Sequence, residues 1–167
     1  MNDDFHKILF NYLTEAGLST TAASYLNLAI LLIVALVLAW FLDLLIWKVL
    51  RSVSLRLARK SKTNFDNFLV ANRVPRYLAH IVPLSILIEF VPFAFIGFDY
   101  AAEIVLKFLH VLFVVLALYV VKSVFTSIND YLKTKPRFRD KPMGSYIQVF
   151  MIFAWIVGIF TIFAIIT

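Results

Sequence analysis

Fourteen of the sixteen Lys and Arg residues fall in two stretches, 48–76 and 122–141, and these stretches alternate with four long apolar runs. Helices that cross a bilayer place their cations this way, because Lys- and Arg-rich connections stay on the cytoplasmic side. The other two connections are nearly free of positive charge. Before residue 26 there is only Lys7, set against Asp3, Asp4 and Glu15, and 97–103 has none. The pattern predicts an all-α integral membrane protein of one transmembrane domain over 1–167, with four spans and both termini on the outer face.

Composition excludes the main alternatives. A soluble domain averages about 45–50 % apolar residues, whereas this chain has 62 %, seventeen Phe and a mean hydropathy of +0.90. The net charge of +6 does not point to nucleic acid, since the cations border apolar runs and no aromatic platform for bases accompanies them. Anionic membrane lipids at the cytoplasmic face are the expected partner, at roughly 1 kcal/mol per well-placed cation. With no Cys there is no disulfide or thiolate chemistry. The N-terminus lacks the basic region and cleavage site of a secretory signal, so the first apolar run is read as a retained span.

Residues 3–16 form the first element. Phe5, Ile8, Leu9, Tyr12 and Leu13 recur at the spacing of an amphipathic helix, with Asn2, Asp3 and Asp4 suited to its N-terminus. Gly17 ends it, and Ser19, Thr20 and Thr21 offer caps for the next helix. The first span covers about 22–50, with Trp40 and Trp47 toward its inner end. The basic segment 51–62 continues the helix into the interface, where Arg51, Arg56, Arg59 and Lys60 are expected to meet lipid headgroups. A short interfacial helix over 65–72 follows, and Pro75 turns the chain back.

The second span, 76–98, contains Pro83 and Pro92, each of which predicts a kink or a helix end. Gly97-Phe98-Asp99 makes the outer turn into the third span, 100–125, which extends as helix to about residue 131. A second basic connection carries Lys135, Arg137, Arg139 and Lys141. The fourth span, 143–167, has no charged residue; at 1.5 Å per residue it reaches about 37 Å, enough to cross a bilayer core. It ends without a polar flank, which predicts a longer polypeptide.

Two ionisable groups lie inside apolar runs, Glu89 and Lys107, with His110 one turn beyond the lysine. An unpaired charge at the centre of a span costs about 2.5–3.5 kcal/mol. Counting outward from the turn at Phe98–Asp99, Glu89 falls in depth between Lys107 and His110. The expected arrangement is therefore a pair between Glu89 and Lys107 or His110 across the hairpin, with Glu103 as a competing partner for Lys107. Asp43 is matched to Trp47, Lys48 or a residue of a neighbouring helix, and His80 to an interfacial hydrogen bond. His6, His80 and His110 are spread over opposite faces, so no metal site is expected. No HExxH, Walker loop or serine elbow is present; neither catalysis nor a cofactor is expected.

The stretch 66–83, with Asp66-Asn67-Phe68-Leu69, Asn72-Arg73-Val74-Pro75-Arg76-Tyr77 and His80 through Pro83, resembles the segment preceding the second span in the small-conductance mechanosensitive channel superfamily. The likeness is to the miniconductance branch, which has five transmembrane helices per subunit. Lys141-Pro142-Met143-Gly144-Ser145-Tyr146, followed by Gln148, resembles the segment that opens the fourth helix there. The resemblance implies a multi-pass protein of the bacterial inner membrane, a homo-oligomer in its full-length form, that answers osmotic tension. Spans three and four would be the tension-sensing paddle and spans one and two its peripheral extension, with Lys135, Arg137, Arg139 and Lys141 holding the paddle to headgroups. The Gly- and Ala-rich pore helix and cytoplasmic β domain of that family have no counterpart in these residues, so gate and conduction path do not carry over. Phe108, Phe113, Phe125, Phe150, Phe153, Phe160 and Phe163 are expected to frame lipid-filled crevices. Two other classes stay open: a small proton-coupled transporter built on Glu89 and Lys107, and a membrane assembly subunit.

Overall fold

A computed structural model describes residues 2–60, 65–136 and 142–167, with side chains described for 7–56, 65–136 and 142–167. Every helix or strand among them is α-helix: α1 (Asn2–Glu15), α2 (Thr20–Lys60), α3 (Phe65–Ala71), α4 (Val74–Ala94), α5 (Asp99–Lys133) and α6 (Met143–Ile166). Four of these, α2, α4, α5 and α6, are long and apolar enough to cross a membrane. The first apolar run and its basic extension are one uninterrupted helix of 41 residues, roughly 60 Å long.

Local chemistry sets the breaks. Gly17 has φ 93°, beyond the reach of most L residues, and its N–H closes α1 on Thr14 O at 3.0 Å. Ser19 then caps α2, its Oγ accepting from Ala22 N at 3.3 Å. Pro75 stands in the first turn of α4, where its missing donor is harmless. Gly97 at φ 85° makes the turn into α5. Neither Pro83 nor Pro92 ends α4 at its own position; the helix runs through both to Ala94. Flanking i→i−4 bonds and packing on neighbours can carry a helix past a proline in this way.

The bundle is assembled by an every-fourth-residue stripe on α2. Ala23, Asn27, Leu31, Ala35 and Ala39 are all buried, and small side chains on such a ridge let backbones approach closely. On α4 the matching ridge is Pro75, Ala79, Pro83 and Val91. The two helices run antiparallel, with Tyr25 against Phe98 at one end and Trp47 beneath Arg76 at the other. The core lies toward the end remote from the cations, where Leu31, Val91, Ala94 and Phe95 gather with Leu9 of α1 and Ala101, Ala102 and Val105 of α5. From α1, Leu13 is buried while Ile8 and Tyr12 stay exposed. Only part of its apolar stripe faces the bundle.

Burial falls off from this pair outward. The most apolar windows of α2 and α4 are 17 % and 22 % buried, against 6 % each for α5 and α6. The single buried residue of α6 is Gly158. Large apolar side chains therefore cover the outside, among them Phe41, Phe108, Phe153, Phe160 and Phe163. A surface of this kind is far beyond the apolar patches that soluble monomers expose.

Candidate functional site

The ridge that packs α2 on α4 continues, at the same spacing, to Asp43 and then Trp47. Asp43 meets His80 of α4, whose Nδ1 lies 2.5 Å from Asp43 Oδ1. The side chains are 20 % and 38 % exposed respectively. Of the partners expected for Asp43, the structure selects the residue on a neighbouring helix. A carboxylate one turn inside an apolar run is thereby given a hydrogen-bonding partner. The sequence signal for this contact is the stripe itself: Asp43 occupies the register position of a buried alanine.

One turn further along, the cations begin. Arg51 of α2 and Arg76 of α4 place their guanidinium carbons 5.8 and 5.3 Å from the centroid of the Trp47 ring, within the range of cation–π attraction. Of the basic residues expected to meet headgroups, Arg51, Arg56 and Lys135 are exposed. Lys135 also lies over Tyr131, with Nζ 4.9 Å from the ring centroid. The side chains of Arg59 and Lys60, and residues Arg137, Arg139 and Lys141 altogether, lie outside the described residues.

The pair expected across the hairpin is not formed. The stacked rings of Tyr77 and Tyr119, 5.7 Å apart, set the register of α4 on α5. Glu89 lies with Leu78, Val82 and Ile86 on the exposed stripe of α4, and among the described residues it makes no ion pair. Lys107 instead takes Glu103, the competing partner, at 3.0 Å. Its Nζ also donates to Ile166 O at 3.3 Å, supplying a cation to the C-terminal carbonyls of α6. His110 Nδ1 lies 2.7 Å from Leu106 O of its own helix. The three groups therefore do not form one site.

Two further features organise the outer helices. At the basic end, α3 is clasped to α5: Ser127 Oγ lies 3.1 Å from Phe68 O, Asn72 Nδ2 donates to Asp130 Oδ2 at 3.1 Å, and Ser123 Oγ donates to Asn72 O. Of these, the Ser123 bond supplies a donor to the Asn72 carbonyl just past the end of the short helix. On the other side, α5 and α6 meet where Leu118 seats against Gly158 and where the Phe125 and Phe150 rings approach to 4.3 Å. Beside that contact runs an apolar groove of about 440 Å³, lined by Phe113, Val114, Ala117, Leu118, Val121, Phe150, Phe153, Ala154, Val157, Gly158 and Thr161.

Of the seven Phe residues expected to frame crevices, Phe113, Phe150 and Phe153 line this groove. Phe108, Phe160 and Phe163 point outward. Among the described residues no three of His, Asp and Glu come close enough together to hold a metal ion. Comparison with protein-family models, with curated proteins and with solved structures gives no match for this chain.

Proposed function

We propose that this chain is the membrane-embedded tension-sensing region of a mechanosensitive ion-channel subunit, with its basic end at the cytoplasmic face of an inner membrane. The observation that carries the proposal is the α5–α6 arm. The most apolar windows of both helices are only 6 % buried within the protein, and α6, uncharged and mostly exposed, meets α5 at Gly158 and at the Phe125–Phe150 rings beside an open apolar groove. Membrane tension does work equal to the tension times the change in in-plane area. A sensor therefore needs an element with two packings of similar free energy and different footprint. An outer helix packed mainly on one neighbour, with lipid filling the groove next to it, meets that requirement. The buried α2–α4 pair supplies the fixed frame.

The sequence resemblance to the miniconductance branch supports the same reading, and with it a homo-oligomer in the full-length protein. The exposed cations Arg51, Arg56 and Lys135 are placed to hold anionic headgroups on the cytoplasmic side, as the positive-inside distribution requires. A transporter built on Glu89 and Lys107 loses its foundation, because Glu89 faces outward and Lys107 is taken by Glu103.

The absence of Cys makes a direct test simple. Spin labels on cysteines introduced at exposed Leu112 of α5 and exposed Phe160 of α6 report their separation in nanodiscs. The sensor reading expects that separation to change between long-chain and short-chain phosphatidylcholine, and on addition of lysolipid. An unchanged distance in all three would mean a rigid arm and would defeat the proposal.

A further inference from the structure

Trp47 is bracketed by cations from two helices. Arg51 approaches from one turn further along α2, and Arg76 crosses from the first turn of α4. Lys48 adjoins them. Like charges gathered on one ring repel, and among the described residues none of the three takes part in an ion pair. The carboxylate nearest along the chain, Asp43, is already engaged by His80.

The space beside Trp47 lies along one face of α2. A groove of about 480 Å³ is lined by Leu44, Trp47, Lys48, Arg51, Ser52 and Leu55. Its cations and the Ser52 hydroxyl occupy the middle. Leu44 continues into the apolar run of α2, so one end of the groove opens along the hydrocarbon-length part of the helix. A guanidinium presents a planar fork of donors that matches a phosphate, and an indole suits the headgroup boundary. A free phosphate would use the cations but not the apolar wall.

We infer that Trp47, Lys48, Arg51 and Ser52 of this groove, with Arg76 on the Trp47 ring beside it, form a discrete site for one anionic diacyl phospholipid, its phosphate on Arg51 and an acyl chain along Leu44. This rests on the membrane reading above and deepens it. Diffuse attraction of headgroups to a basic surface does not require particular cations, whereas this site does.

The test uses Trp47 as its own reporter. A variant carrying Trp40→Phe and Trp155→Phe leaves one indole, and is reconstituted into phosphatidylcholine vesicles doped with phosphatidylglycerol or phosphatidylcholine brominated on the acyl chains. The site predicts that brominated phosphatidylglycerol quenches at a several-fold lower mole fraction than brominated phosphatidylcholine. It also predicts that Arg51→Gln with Arg76→Gln abolishes the difference, while Lys122→Gln with Lys133→Gln, of equal charge change, preserves it. Equal quenching by the two lipids, or equal loss in both double variants, would leave only diffuse electrostatics and overturn the site while sparing the membrane reading. No quenching by either lipid would overturn both. Excess inorganic phosphate is expected to leave the quenching in place; displacement by it would assign the cations to free phosphate instead.

Discussion

Replacing Gly158 by Ala isolates the contact on which α6 is seated. A Cβ at this position would stand 2.6 Å from Leu118 Cδ1 and 3.2 Å from both Cδ2 and Cγ. Favourable carbon contacts lie at about 3.5–4.0 Å, so the nearest methyl must retreat by about 1 Å. Leu118 is buried but lines the open groove, so its branch has somewhere to go. Relief by a strained rotamer costs about 0.5–1.5 kcal/mol, and overpacking without relief about 1–3 kcal/mol. Against this, alanine favours the helix over glycine by about 0.5–1 kcal/mol. The net expectation is a loss of about 1 kcal/mol, on the order of the difference between these terms. In a Leu118→Ala background the clash is gone, and Gly158→Ala is expected to stabilise by the full propensity gain. The coupling in the double-mutant cycle is therefore about 1–2 kcal/mol, large for a single methyl. Reversible unfolding of the detergent-solubilised protein in SDS, followed by far-ultraviolet circular dichroism, measures all four corners. If Gly158→Ala has the same sign and size in the native and Leu118→Ala backgrounds, the two helices do not meet at this glycine and the argument fails.

Two other substitutions test the polar contacts. His80→Leu strands the Asp43 carboxylate against α4 and is expected to cost about 2 kcal/mol, while Asp43→Asn keeps a hydrogen bond to the imidazole and costs less. Equal losses in the same unfolding assay would show that the pair is not formed. Glu89→Gln, by contrast, is expected to change stability by less than about 0.5 kcal/mol, because the side chain is exposed and unpaired among the described residues. A loss of several times that in the same assay would restore the cross-hairpin pair.

The one-dimensional pattern of this chain determines a good deal of its architecture. Apolar run length and the position of Gly17, Pro75 and Gly97 fix where helices begin and end, because those constraints act within a few residues of chain. Counting along an antiparallel hairpin places Glu89 in depth between Lys107 and His110, but depth alone does not make a pair. What counting along the chain does not supply is the azimuth. A helix hydrophobic on every side gives no signal for which face meets a neighbour, and α6 is such a helix. Among the described residues Glu89 lies on the exposed stripe of α4, and Lys107 pairs with Glu103 of its own helix.

The Asp43–His80 contact was half legible. The every-fourth-residue run of Ala23, Asn27, Leu31, Ala35 and Ala39 marks the packed face of α2 and carries Asp43 with it, but only the crossing of α4 selects His80. The gathering of Arg51 and Arg76 on Trp47 belongs to the same category. One cation is a helical turn away along the chain, the other is brought from another helix. Helices are local products of sequence, held by bonds that close within four residues. The sites between them are products of packing, because they depend on which ridge fits which groove.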